Sequence, residues 1–445
     1  MRKVLPRVLA PVLFLYFLYF AIPALRATFS RDDVGNLGVY WFHGLWGSFR
    51  DQIRFGTVYR PMGALFYLPI YDVFGLNPVA YHVAALAIAA ANLFFTFRIG
   101  ELLTKSRAVA ALATILVCAH GSMVVLYYDT AMIYDVLAYF FTAAMLYAYL
   151  VFRGHGKALT VGQGVVIAIL YIAAINSKEI AVVAPAWILA YELLFHRPPK
   201  LRVPAILLIL AILFAATILF HPHGLAKEPG YRLEFTPHRY LLNNAIYVSS
   251  LTYMHFIDSG PKLMAAWAVF TAACAIARRP ELWWCWCVAC TATIPVSFTV
   301  QPRDGGNLYV PLLGFALAAS IFAVGLFQRP ALQWSVAALA AIMWTWYSVP
   351  MWRFAAPGYI QEDRLPSAII AQFRSLPSRP APRSRVLILS SPLPDWGTYF
   401  IARLVWGDHS VDVKLANMLG GPPDLASYDW ILTFEGEDLR VVRTR

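Results

Sequence analysis

The feature that most constrains this chain is a repeating alternation. Apolar runs of near-bilayer length are separated by short connections that are by turns basic and mixed in charge. The first run extends from Arg7 to about Leu25. Others cover 79–98, 108–127, 131–151, 161–176, 180–195, 203–220, 263–277, 282–300, 308–327 and 331–350. A bilayer core takes about 20 apolar residues per helix. Helices are favoured there because they satisfy their own backbone hydrogen bonds inside lipid. The expected fold is an all-α polytopic membrane bundle of about eleven transmembrane helices. Of the 445 residues, 60% are hydrophobic and 13% charged, where a soluble domain carries about 25% charged residues.

The loops orient the bundle. With the N-terminus inside, the cytoplasmic connections carry Arg98, Lys105 and Arg107; Arg153 and Lys157; Arg197, Lys200 and Arg202; Arg278 and Arg279; and Arg329. Each is basic, as cytoplasmic loops generally are. The opposite connections, 27–78, 128–130, 176–179, 221–262 and 301–307, are mixed in charge, and everything after Trp352 falls on their side. This distribution accounts for the net charge of +12 without nucleic acid, since no compact basic run with interleaved aromatics is present. The first run is too long for a signal peptide and lacks a small-residue cleavage site, so it reads as a retained span with a cytoplasmic N-terminus. The five cysteines, Cys118, Cys274, Cys285, Cys287 and Cys290, sit in apolar runs and suggest neither a disulfide framework nor a metal site.

Two regions depart from the span pattern. In the first outer loop, Phe42, Leu45, Trp46, Phe49 and Ile53 recur at helical spacing, with His43, Asp51 and Arg54 on other faces, as in a helix lying in the membrane interface. Near Ile246–Ile257 a weaker apolar stretch suggests a re-entrant segment or half-span. After a transmembrane domain at 1–352, residues 353–384 read as a linker rich in Pro, Ser and Arg. Residues 385–445 then read as a small α/β domain on the non-cytoplasmic side. Its strands are expected at Arg385–Ser391, Val411–Ala416, Trp430–Phe434 and Leu439–Arg443, with a short helix at Thr398–Trp406.

The residues able to carry chemistry gather at the outer surface. Asp32 and Asp33, in Ser30-Arg31-Asp32-Asp33, could act as a general base or hold a metal with a neighbour; the same four residues also suit helix initiation. Lys178 and Glu179 interrupt one long apolar stretch, as either a solvated turn or a phosphate contact with an orienting carboxylate. Arg303, in Gln301-Pro302-Arg303-Asp304-Gly305-Gly306-Asn307, could meet a phosphate or stand solvated in a tight turn. His221 and His223 flank Pro222 and resemble a metal pair only faintly. Asp129 and Asp135 lie at and just inside a span, where an acid is costly without a partner such as Arg60 or Lys178. Polar residues from separate stretches converging on one membrane face suggest a cavity opening there.

On these residues the chain resembles the integral-membrane glycosyltransferases of the GT-C superfamily. The likeness is greatest to the branch holding the protein O-mannosyltransferases and the membrane parts of the tetratricopeptide-repeat mannosyltransferases. Four stretches carry the resemblance: Asp32-Asp33; Tyr59-Arg60-Pro61-Met62 with Phe74-Gly75-Leu76-Asn77-Pro78 and Tyr81-His82; Lys178-Glu179 with Pro185 and Tyr191-Glu192; and Leu308-Tyr309-Val310-Pro311 with Gly314-Phe315. Ala85 and Ala89 stand where the family often has Asn and His, Gly305-Gly306 where it often has Glu-Arg, and no tetratricopeptide repeats follow.

The resemblance implies transfer of a sugar from a polyprenyl-phosphate carrier to an acceptor hydroxyl of a protein, glycan or lipid at the non-cytoplasmic face. Asp32 or Asp33 would be the base. Lys178, Arg303 and Arg60 would hold the donor phosphate, with Glu179, Asp135, Asp129, His82 and His221 in support. No cofactor is expected, and a divalent metal is not required. Chain size and the family's distribution suggest a bacterial inner membrane. The rival expectations are a transport or lipid-binding protein, for which no internal repeat or midplane charge speaks, and a degenerate relative serving as an assembly partner.

Overall fold

The structure, a computed structural model, describes residues 5–53, 60–154, 156, 158–220, 230, 232–362, 364–393 and 396–444. Its bulk is a helical bundle. Helix α1 (Leu5–Ala21) continues through a 3₁₀ turn at Ile22–Arg26, and the chain then enters α2 (Arg31–Ile53). The interfacial helix expected in this loop is the second half of α2. Gly44 breaks the helix with φ +67°, a backbone angle that glycine adopts without strain. Phe42 and Trp46, on either side of the break, are exposed. A helix not anticipated from the sequence follows, α3 (Met62–Phe74), packed on α2.

Helices α4 (Pro78–Thr104) and α5 (Arg107–Cys118) form the next hairpin, each capped by the side chain before its first turn, Asn77 and Ser106. The span expected at 108–127 stops at Cys118 and turns by 55° into residues Gly121–Tyr128, which end in the single turn α6 (Val125–Tyr128). Polar groups at the corner take up the freed backbone. His120 Nδ1 accepts from the Ser122 N–H at 3.2 Å, Tyr253 OH accepts from the Gly121 N–H at 2.5 Å, and Trp352 Nε1 donates to the Ala119 carbonyl at 3.1 Å. Helix α7 (Ile133–Arg153) returns through the bundle beside α4 and α8 (Val161–Ser177). A 3₁₀ turn at Glu179–Val183 leads to α9 (Ala184–Phe195) and α10 (Arg202–Phe220).

Helix α11 (Pro237–Thr252) occupies much of the outer loop expected at 221–262 and covers most of the stretch read as re-entrant. Then follow α12 (Gly260–Ala277), α13 (Pro280–Thr291), α14 (Tyr309–Ser320) and the long α15 (Pro330–Glu362). Among the described residues, five segments are long and apolar enough to cross a membrane: Val8–Arg26, Pro78–Thr104, Thr130–Arg153, Gly260–Ala277 and Gly305–Gly325. The bent pair makes a sixth if counted as one span. Met62–Phe74, Val161–Ser177 and Arg202–Ile218 are apolar but shorter. The chain is an integral membrane protein. Of about eleven expected spans, several are shortened by 3₁₀ turns at Glu179–Val183 and Ile294–Val296.

Residues 353–384, read as a linker, hold the last turns of α15 and all of α16 (Arg364–Ser375), which buries Ile369, Ile370 and Phe373. The C-terminal α/β unit has strands β1 (Arg385–Ile388), β2 (Asp412–Leu415), β3 (Trp430–Glu435) and β4 (Asp438–Thr444) in the order β2-β1-β3-β4. Strands β1 and β2 are parallel and joined by α17 (Gly397–Trp406), as a parallel pair requires. Strands β3 and β4 form a hairpin in which Glu435 faces Asp438 across Gly436.

This unit seats α17 on α2. A Cβ at Gly35 would lie 2.0 Å from the Trp396 ring, and one at Gly38 would lie 2.2 Å from Phe400, so only glycine permits the contact. Beyond them Trp41 stacks on His409 at 3.6 Å, and the Arg403 guanidinium lies over the Trp41 and Phe42 rings at 5.9 and 5.2 Å. The helix that carries Asp32 and Asp33 is thus clamped between the bundle and the C-terminal unit.

Candidate active site

The site begins where α2 begins. Ser30 Oγ accepts from the Asp33 N–H at 3.1 Å, and Asp33 Oδ2 accepts from the Ser30 N–H at 3.0 Å. This reciprocal pair is a capping box with Asp in the place of Glu, and it fixes the first turn. The other oxygen of Asp33 accepts from Thr130 Oγ1 at 2.6 Å and from Tyr67 OH at 3.0 Å. Asp33 is therefore fully enclosed, at 0% exposure. Burial, and then the nearby carboxylate of Asp129, push its carboxyl up to about 7, while the bonds from Thr130, Ser30 and Tyr67 act in the other direction. The Ser30 hydroxyl reaches both Asp33 Oδ2 at 3.1 Å and Asp129 Oδ1 at 2.9 Å. One hydroxyl proton cannot serve both, which favours holding one carboxyl of the pair protonated. Asp129 also caps the turn at Thr130–Met132 through the Ala131 N–H at 3.0 Å.

Asp32 is the opposite case. It is exposed and, among the described residues, has no hydrogen bond or ion pair. It shares a helical stripe with Asn36, Val39 and His43, all partly open to solvent, distinct from the stripe of Gly35 and Gly38 under the C-terminal unit. The two aspartates grouped by sequence are divided by structure: Asp33 is held on every side, and Asp32 is open.

Two ion pairs are linked to Asp33 through intervening tyrosines. The Arg60 guanidinium forks onto Glu179, with Nη2 2.7 Å from Oε1 and Nε 3.2 Å from Oε2. Lys178 Nζ donates to Asp135 Oδ2 at 2.5 Å and to Asn307 Oδ1 at 2.6 Å. The second pair is almost sealed, with side chains 7% and 2% exposed. Burial holds the Lys178 ammonium below its ordinary value, while the Asp135 carboxylate pulls it back up. Burial would raise Glu179, but the charges of Arg60 and Lys178 outweigh it and hold Glu179 below its usual range.

Tyrosines join these parts. Tyr67, bonded to Asp33, stacks on Tyr40 with ring centroids 5.9 Å apart. Tyr40 OH donates to the Arg60 carbonyl at 2.7 Å and lies 2.8 Å from Tyr134 OH. The Tyr134 ring underlies the Arg60 guanidinium at 5.3 Å. Asp33, Asp129, Asp135, Arg60, Lys178 and Glu179 thus form one connected network at one end of the bundle.

The remaining candidates lie apart from it. Arg303 turns toward α11: its backbone N–H donates to Tyr247 OH at 2.9 Å, and its Nη2 donates to the Gly230 carbonyl at 3.0 Å. His82 is buried within α4, beside the backbone of Thr28 and Tyr127, under the segments that carry Asp33 and Asp129. His221, with His223, Tyr59 and Arg54, lies outside the described residues. Gly306 is packed so that a Cβ would meet Leu126, Val125 and Met132 at 3.0 to 3.3 Å. A bulky side chain there would need its neighbours to move.

The sequence reading missed Tyr40, Tyr67, Thr130, Tyr134 and Asn307. Asn307 stood within the glycine-rich stretch already singled out, and Tyr134 adjoins Asp135. Tyr67 had no local signal, because α3 was not recognised as a helix.

No family model matches the chain, and no curated protein does. Solved structures do. The chain is similar to ArnT from Cupriavidus metallidurans bound to undecaprenyl phosphate, with a TM-score of 0.56 and 11% identity over 97% of this chain and 93% of that one. The same protein in the apo state gives a TM-score of 0.54 and 12% identity over 93% and 86%. The apo oligosaccharyltransferase of Archaeoglobus fulgidus gives 0.50 and 12%, over 92% of this chain and 64% of that one. Both proteins are GT-C glycosyltransferases. At these identities the likeness is one of fold, and the chain has the GT-C fold.

Proposed function

We propose that the chain transfers a sugar from a polyprenyl-phosphate carrier to an acceptor hydroxyl at the non-cytoplasmic face of a bacterial inner membrane. The observation that carries this reading is the pairing of Asp32 and Asp33. An exposed carboxylate is held beside a fully enclosed one, which Tyr67, Tyr40 and Tyr134 join to the segment carrying Arg60 and to the helix turn that pairs with Lys178. Support from fold comes from ArnT, whose structure contains undecaprenyl phosphate. In this reading the N-terminus is cytoplasmic, residues 1–352 form the membrane domain, and residues 353–384 lead to an outer α/β domain at 385–445.

Asp32 is the base, because it is open to an incoming hydroxyl. It takes the acceptor proton as the acceptor oxygen bonds to the anomeric carbon. The bond from that carbon to the phosphate oxygen breaks, and the phosphate leaves with the electron pair. Asp33 is a positioning residue, fixing the first turn of α2 through Ser30, Thr130 and Tyr67. Lys178 and Arg60 stabilise the leaving phosphate. Each is neutralised by its own carboxylate before donor arrives, so the phosphate must displace or share Asp135 and Glu179. No step in this displacement requires a metal.

The test uses membranes containing wild-type protein or Asp32→Asn, with lipid mass spectrometry of the polyprenyl-phosphate sugar pool. Wild type is expected to convert sugar-bearing carrier to free polyprenyl phosphate. Asp32→Asn, at equal abundance, should lose this by about 10²-fold or more, the scale of a general base. Full conversion by Asp32→Asn would remove Asp32 from the role.

A further inference from the structure

A cavity of about 300 Å³ lies at the end of the bundle away from the site, between α1, α4 and α5. From His82 to Arg98 along α4 the helix runs about 24 Å, so the charged end of this cavity lies far from the aspartates, and neither they nor Lys178 line it. Its walls are apolar, with Leu13, Phe14, Leu93 and Phe94 among them. Phe14 and Phe94 are 54% and 53% exposed, so the groove opens sideways toward lipid. Its polar end is built from three charged side chains. Glu101 accepts from Arg98 Nη1 at 2.5 Å and from Arg107 Nε at 2.7 Å. One carboxylate thus serves two guanidiniums, and the mouth carries a net charge of +1. Arg107 is half exposed.

We propose that this groove binds an anionic phospholipid of the adjacent leaflet, with its phosphate at Arg98 and Arg107 and an acyl chain along Phe14 and Phe94. Charge complementarity selects the occupant. A zwitterionic lipid brings a cation that the two arginines oppose, whereas an anionic headgroup meets a basic pocket between transmembrane helices. Guanidinium donors not directed at Glu101 suit a phosphate, which Arg binds with a fork of N–H groups. The apolar walls accommodate a chain in a way that a soluble phosphate would not exploit.

The experiment purifies the full chain in detergent and exchanges it into mixed vesicles of phosphatidylglycerol and phosphatidylcholine. Retained lipid is then counted by native mass spectrometry. Wild type should retain phosphatidylglycerol over phosphatidylcholine by about fivefold, the scale of one basic charge at an anionic lipid surface. Arg98→Gln/Arg107→Gln should bring the ratio close to one. Ala90→Phe keeps the charges and fills the groove, so it should lose the retained lipid even if the double variant fails to fold. Equal retention of the two lipids by wild type overturns the proposal. So does unchanged preference in either folded variant.

Discussion

The sealed pair of Lys178 and Asp135 gives the sharpest prediction. Lys178→Met removes the ammonium and leaves a carboxylate at 2% exposure without its bonded cation, along with Asn307 Oδ1 without its donor. Breaking one side of a buried ion pair costs about 3–5 kcal/mol. Asp135→Leu should cost about as much, because Lys178 would then keep only Asn307. The double variant Lys178→Met/Asp135→Leu removes both charges. What remains is the unpaired Asn307 oxygen, about 1–3 kcal/mol. The two single losses therefore should not add. Unfolding of purified protein in micelles, titrated with sodium dodecyl sulfate and followed by tryptophan fluorescence, measures all four corners of the cycle. The fluorescence signal is ample, since the chain has 14 tryptophans. If the double variant is no more stable than either single one, the buried-pair account is wrong. Sugar transfer supplies the second reading. The refolded double variant should remain inactive if Lys178 meets the donor phosphate, and wild-type transfer by it would make Lys178 purely structural.

Other perturbations follow from the same geometry. Asp33→Asn should lower stability by about 1–3 kcal/mol, because one amide oxygen cannot accept from Ser30, Tyr67 and Thr130 together, while Asp32→Asn should leave the unfolding midpoint unchanged. The raised carboxyl of Asp33 also sets a pH trend. Its folded value is about 7 against an unfolded value of 3.8, so the folded state holds the proton more tightly. That contribution is complete below about pH 4 and is lost as pH rises through about 7, a fall on the order of a few kcal/mol across the window. A pH series of unfolding midpoints measures it, and Asp33→Asn should flatten the slope. Gly35→Ala would force its Cβ into the Trp396 ring, loosening the C-terminal unit from α2 by about 1–3 kcal/mol. Faster proteolysis between α16 and β1 would report this.

Much of the architecture was legible because bilayer physics writes in long periods. The span at 79–98 and the strand pair across Gly436 both appeared near their expected places, since hydropathy and turn chemistry act locally. The helix α3 was hidden because it lies inside an outer loop of mixed charge, and a mostly apolar segment of thirteen residues falls short of a span. The corner at Ala119 was missed because His120, Gly121 and Ser122 draw their hydrogen bonds partly from Tyr253, and Trp352 caps Ala119, residues distant in sequence. The convergence of Asp135 and Lys178 was legible from the cost of a charge inside a span. The division between Asp32 and Asp33 was not, because it depends on which side of α2 meets Tyr67 and Thr130. Arg303 looked equivalent to Lys178 in sequence, but its backbone and guanidinium are engaged by Tyr247 and Gly230.

In the proposed reaction Asp32 deprotonates an acceptor while a polyprenyl phosphate leaves. Its most direct measurement is the identity of lipid co-purifying with wild type and with Asp32→Asn, read by mass spectrometry. Free polyprenyl phosphate is expected on wild type and sugar-bearing carrier on the variant, because transfer stops after the donor binds. Isoprenoid phosphate on neither protein, with only phospholipid retained, would contradict it.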